Sequence, residues 1–164
     1  MIQEKHGELL VIPMDKNGVL DLNAYEELLK QLPKIVSIAH VSNTLATINP
    51  IKEMIAMAHK YDIPVIIDGA QSMAHHIIDV QDLDCDFYIF SSHKMLGPSG
   101  VGVVYGKLDL LEEMPPFILG GGSNSRFDNL GKVYLKKSPY KFEAGTPAIE
   151  GVIGLRKAIE YLNS

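Results

Sequence analysis

Polar residues stand at or just beyond the ends of short apolar runs at three places: Asn43, Asp68 with Gln71, and the tetrad Ser91-Ser92-His93-Lys94. Lys94 lies between an apolar run and Met95-Leu96-Gly97-Pro98. Such surroundings predict a desolvated ammonium with its pKa lowered towards that of a nucleophilic amine. Asp68 closes the run Val65-Ile66-Ile67 and is followed by Gly69-Ala70, small residues that let another group approach. Each also has a plainer account, because a loop lysine is commonly a solvated cation and a strand-end aspartate commonly caps the next helix. Taken together they offer a carboxylate able to partner a cationic ring nitrogen and an amine able to join a carbonyl.

Placing those groups falls to the elements around them. Short β-branched runs recur with helical segments between them, which predicts an α/β fold built on strands joined by crossover helices. Strands are expected over 8–14, 34–40, 64–68, 86–91 and 101–106, and helices over 23–31, 51–61 and 148–162, with Asn23 as a cap and Pro50 preceding the second helix. Ile51, Met54, Ile55 and Ala58 repeat at i, i+3, i+4, i+7, so that helix buries one face. Ile149, Val152, Ile153, Ala158 and Leu162 are the expected inward positions of the last one. In open α/β sheets ligands bind outside the carboxyl ends of the strands, where Asn43, Asp68, Gln71 and the Ser91–Lys94 tetrad fall. Residues 115–141, with Pro115-Pro116 and Gly120-Gly121-Gly122, predict a loop too long for a routine connection.

Composition narrows the partners. The chain has 164 residues, 46% of them hydrophobic and 21% charged, which is globular composition. A net charge of −5 without a basic run argues against nucleic acid. No apolar stretch approaches a membrane span or a signal core, and the single cysteine, Cys85, forms neither an internal disulfide nor a multi-cysteine zinc site. A cytoplasmic location is expected.

Pyridoxal phosphate needs both a carboxylate for its ring nitrogen and a lysine for its aldehyde. The segments HVSN (40–43), INPIKE (48–53), DGAQ (68–71), HHIIDVQDLDCDFYIFSSHK (75–94), GPSGVGVVYGK (97–107), EMPP (113–116), GGGS (120–123) and FEAGTP (142–147) occur in that order. With them the chain resembles the class V aminotransferase-like group of fold-type I pyridoxal phosphate enzymes, specifically SufS-type cysteine desulfurases and selenocysteine lyases. The 26-residue step from Asp68 to Lys94 matches that family as well. The resemblance implies a three-layer αβα domain with a mostly parallel sheet, residues 1–164 being the central part of the family's large domain, and 115–141 a long active-site or interface loop. By resemblance Lys94 joins the cofactor aldehyde and afterwards moves protons, Asp68 pairs with the pyridinium nitrogen and Gln71 hydrogen-bonds the phenolic oxygen. Asn43 is implied as a ligand of the cofactor or the substrate carboxylate, Ser91 and His93 bind the phosphate, and Thr146 reaches the phosphate of the other subunit of a homodimer. The implied activity is conversion of L-cysteine, or L-selenocysteine, to L-alanine, with sulfur passed to an acceptor protein for iron–sulfur cluster assembly.

The family pattern is not matched throughout. Ser92 stands where glycine is common, Met95-Leu96 replaces a frequent Leu-Tyr, Ser99 a frequent threonine and Ala46 a usual glycine, and Asn124-Ser125-Arg126 follows GGGS in place of Met-Ile. A ring-stacking histidine before this region, and a carboxylate-binding arginine and sulfur-accepting cysteine after it, have no counterpart here. Cys85 reads as a small buried residue. Two alternatives stay open: a selenocysteine lyase or other class V aminotransferase, and a catalytically silent folding or assembly module. Other motifs carry less. The glycines of GPSGVG are spaced G-x-x-G-x-G and lead into a strand, unlike a dinucleotide fingerprint. Asp82, Asp84 and Asp86 lack the glycine and closing carboxylate of a calcium loop and read as a solvated acidic turn. His75 and His76 read as packing or surface residues.

Overall fold

The computed structural model describes residues 7–164. They divide into two compact units, one ending at Phe90 and one spanning Ser91–Ser164.

In the first unit, helix α1 (Leu22–Leu29) is capped by Asp21, whose carboxylate accepts from the Asn23 and Ala24 amides at 3.0 Å each. The cap is thus Asp21 and not the expected Asn23, because Asn23 is already inside the first turn as a donor. Tyr25 and Leu29, one turn apart, are the buried positions of α1. The Tyr25 hydroxyl donates to the carbonyl of Met54 at 3.1 Å, and burial pushes its pKa up to about 12. Strand β1 (Val36–Ala39), helix α2 (Ile51–His59), strand β2 (Val65–Asp68), the short helix α3 (Val80–Leu83) and strand β3 (Phe87–Ser91) follow. Strand β2 pairs in parallel with β1, from Val36 opposite Val65 to Ala39 opposite Asp68, and with β3, from Ile66 opposite Phe87 to Asp68 opposite Ile89. The α/β class and parallel pairing expected from the sequence are therefore present.

All the apolar positions assigned to α2 from their spacing, Ile51, Met54, Ile55 and Ala58, are buried. They form the core with Ile38, Ile63, Val65, Ile67 and Tyr88. Asp86 is buried at the start of β3, where its carboxylate accepts from the Val65 amide at 2.7 Å and pairs with His59 Nε2 at 2.8 Å. One carboxylate thereby ties the end of α2 and the start of β2 to β3. The acidic turn is solvated at Asp82, which is exposed and pairs with Lys52 at 2.6 Å, but not at Asp86. Residues 8–14 form no strand; among the described residues their only ladder contact is a bridge between Met14 and Leu20, closed by a turn in which the Asp15 carboxylate accepts from the amides of Asn17 and Val19. Alternating apolar residues need a hydrogen-bonded neighbouring strand to become one, and among the described residues no strand pairs with this segment.

The second unit contains β4 (Gly102–Gly106), α4 (Leu108–Glu113), β5 (Asn124–Phe127), β6 (Val133–Leu135) and α5 (Ile149–Leu162). The region 115–141 is not structureless: β5 and β6 pair as an antiparallel hairpin with a bulge between Asn124 and Arg126. Lys141 is buried and donates to the Glu112 carbonyl at 2.8 Å, while the Glu112 carboxylate accepts from the Ser138 amide at 2.9 Å. Of the expected inward positions of α5 only Ala158 is buried, joined by Leu155; Ile149, Val152, Ile153 and Leu162 are exposed. The glycines explain the face chosen. A side chain at Gly151 would meet Val101 at 2.3 Å and one at Gly154 would meet Pro98 at 2.9 Å, so α5 packs its small residues against the 98–101 turn.

Candidate active site

Parallel strands deliver polar groups at their carboxyl ends, and in the first unit this places Asp68 as the last residue of β2 and Asn43 in the turn after β1. Asp68 is exposed, and its Oδ1 accepts from the Ala70 amide at 2.9 Å, which orients the carboxylate without consuming it. Gln71 Nε2 donates to Asn43 Oδ1. This joins the turn after β2 to the turn after β1 and leaves the Asn43 amide nitrogen and the Gln71 carbonyl oxygen for a ligand.

Behind these residues lies a buried polar chain that sequence reasoning missed. The Tyr88 hydroxyl lies 2.6 Å from Ser72 Oγ and 3.0 Å from His40 Nδ1, and Ser72 Oγ donates to the Gly69 carbonyl at 3.1 Å. His76 stacks on His40 with ring centroids 6.0 Å apart. Burial, aided by the neighbouring His76, lowers the His40 pKa, and burial raises that of Tyr88. The HVSN and DGAQ motifs bracket this chain, yet nothing in spacing distinguishes Tyr88 from the core residues of an apolar strand.

In the second unit Ser91 ends β3, and Ser92–Met95 forms a 3₁₀ turn. Residues three apart eclipse in such a turn. Ser92 and Met95 accordingly face inward and are buried, which leaves His93 and Lys94 exposed. Lys94 is therefore presented to solvent and not enclosed by apolar neighbours as its sequence context suggested. Leu96, in the left-handed region at φ 65°, ends the turn. Gly97 has no room for a side chain, since a Cβ would lie 2.1 Å from Ser92 Oγ. Thr146 is exposed just before α5. His75 and His76 are exposed, the latter in its stack with His40, and Cys85 is fully buried. Among the described residues no group of histidine, cysteine and carboxylate side chains is arranged to hold a metal, and no helix is long and apolar enough to cross a membrane.

Parallel strands joined by helices, with polar residues after β1, β2 and β3, make this an α/β protein, and the model of the aminotransferase class-V family matches residues 1–164. The chain belongs to that family. A cysteine desulfurase of Escherichia coli O9:H4 (strain HS) is 48% identical over 159 residues, 96% of this chain and 39% of the relative. One from Salmonella choleraesuis (strain SC-B67) is 45% identical over 164 residues, 100% of this chain and 40% of the relative. Among solved structures, an apo cysteine desulfurase from Thermococcus onnurineus NA1 superposes with a TM-score of 0.92 at 35% identity, covering 99% of this chain and 40% of that one. The cysteine desulfurase CsdA of Escherichia coli gives 0.88 at 36% identity, covering 99% and 41%. The chain thus spans about two fifths of the length of the curated relatives it matches.

Proposed function

We propose that this chain is the cofactor-anchoring part of a cysteine desulfurase and binds pyridoxal 5′-phosphate through Lys94. The observation that carries the reading is an exposed lysine on a short turn immediately after β3, in a chain that also ends β2 on an exposed carboxylate and joins Asn43 to Gln71. This donor set fits the group: an amine for its aldehyde, a carboxylate for its ring nitrogen, and amides for its phenolic oxygen. Pyridoxal 5′-phosphate, when bound, supplies an electron sink for the substrate α-carbon. Asp68 holds a proton on the ring nitrogen, Gln71 and Asn43 orient the ring, Ser91 and His93 bind phosphate, and Lys94 takes and returns a proton at the substrate α-carbon. Thr146 reaches the phosphate of a second copy in a homodimer.

The substrate on this reading is L-cysteine, with L-selenocysteine as the alternative, and the product sulfur passes to an acceptor protein for iron–sulfur cluster assembly in the cytoplasm. Cys85 is the only cysteine of the chain and is fully buried, so the sulfur-accepting thiolate is not supplied by this segment. Incubation with pyridoxal 5′-phosphate followed by borohydride is expected to add one pyridoxyl phosphate to the intact mass, mapped to the Lys94 peptide and absent in Lys94→Ala. No adduct, or an adduct spread over surface lysines, would overturn the proposal.

A further inference from the structure

We propose that Tyr88 is a positioning residue whose hydroxyl joins the two segments carrying Asn43 and Gln71, and so sets the amide pair offered to the cofactor. The inference rests on the reading of those residues as a pyridoxal 5′-phosphate site.

Three observations carry it. First, the sheet hydrogen bonds continue one step past the strand ends, with the His40 amide donating to the Asp68 carbonyl at 2.8 Å and the Gly69 amide to the Ile89 carbonyl at 2.8 Å. Beyond that step the turns after β1 and β2 diverge from the ladder. Tyr88 then meets both segments, through His40, three residues before Asn43, and through Ser72, one residue after Gln71.

Second, the ring is pressed against the turn itself. A side chain on Gly69 would come within 2.0 Å of Tyr88 Cε1 and 2.6 Å of its hydroxyl. The phenol therefore fills the space directly under the residue between Asp68 and Ala70, and the turn cannot shift inward without displacing it.

Third, the protons close. With the Ser72 hydroxyl donating to the Gly69 carbonyl at 3.1 Å, Tyr88 can donate to Ser72 Oγ at 2.6 Å and accept from His40 Nδ1 at 3.0 Å. In that arrangement His40 is the Nδ1–H tautomer. Each hydroxyl in the chain is satisfied, although Tyr88 is only 1% exposed and Ser72 fully buried. Packing alone would be served by phenylalanine, as at the neighbouring positions Phe87 and Phe90; the hydroxyl is what links the turns.

Tyr88→Phe separates the two roles by keeping the ring against Gly69. Nuclear magnetic resonance of the isotope-labelled chain is expected to show the Gln71 side-chain amide moving to its unbonded position and the His40 ring-nitrogen resonances shifting. The affinity for pyridoxal 5′-phosphate should fall about tenfold, the scale of one lost hydrogen bond. Ser72→Ala should reproduce both changes, whereas the core substitution Phe87→Leu should lower thermal stability without moving either resonance. Unchanged Gln71 and His40 resonances in Tyr88→Phe, or equal movement in Phe87→Leu, would overturn the inference. If the parent chain takes up no cofactor, the proposed function fails, while the two resonances still decide whether Tyr88 sets the amide pair.

Discussion

Protonation of His40 opposes the arrangement around it. Its folded pKa lies below the ordinary value of 6.5 because the ring is partly buried and beside His76. As pH falls through that value the unfolded chain takes up the proton first, so stability declines from about pH 6.5 downwards until the folded-state pKa is passed. Urea midpoints should drop as pH falls below about 6.5, and the drop should be smaller in His40→Asn; equal drops would show that other groups dominate. The placement of Asn43, Asp68, Gln71 and the 91–94 tetrad at or after strand ends was legible in the sequence because polar residues after apolar runs are conspicuous. His40, Ser72 and Tyr88 were not, because their partnership depends on side chains 48 and 16 residues apart meeting across the sheet. The exposure of Lys94 was misread for a related reason: an apolar flanking sequence does not reveal that Ser92 and Met95 take the inward face of the turn.

Helix α2 shows what a sequence period can specify. Its four inward residues are spaced so that all fall on one buried face, and Met54 is fully buried. Met54→Ala should cost about 2–5 kcal/mol, measurable by chemical denaturation, with a smaller loss indicating that the core around it collapses into the space. Strands β2 and β3 were equally readable, being short, β-branched or aromatic, and bounded by turn residues. Helix α5 was readable as a helix but not as a face. Its apolar residues are spread around the axis, and the choice was made by Gly151 and Gly154, which only the backbone contact explains. The hairpin β5–β6 was hidden because glycine, serine and asparagine signal turns more strongly than its brief strands signal pairing, and residues 8–14 failed as a strand for want of a partner.

At the scale of the molecule, globular composition coexists with a broad apolar exposure. A cavity of about 1020 Å³ in the first unit is lined by residues including Leu9, Val11, Leu20, Leu28 and Leu45. Leu9 is 67% and Val11 69% exposed. Ile149, Val152 and Ile153 add exposed apolar surface on α5. Surfaces of this kind bind apolar probes in the native state. Anilinonaphthalene sulfonate fluorescence should therefore rise on adding folded chain, and the double substitution Leu9→Glu with Val11→Glu should reduce it; an unaltered signal would place the binding elsewhere. The exposure accords with a chain spanning about two fifths of its relatives' length.

The contact between Ser92 and Gly97 reaches beyond geometry into sequence drift. The Ser92 hydroxyl is buried without a hydrogen-bond partner among the described residues and occupies the volume that a side chain at position 97 would need. The two sites therefore form an epistatic pair. Loss of the hydroxyl at 92 would remove a buried polar atom and ease the 2.1 Å contact at 97, whereas enlargement at 97 with serine in place forces that hydroxyl to move. Along any lineage the order of the two changes matters, since a side chain at 97 is accommodated at lower cost once the hydroxyl at 92 is gone.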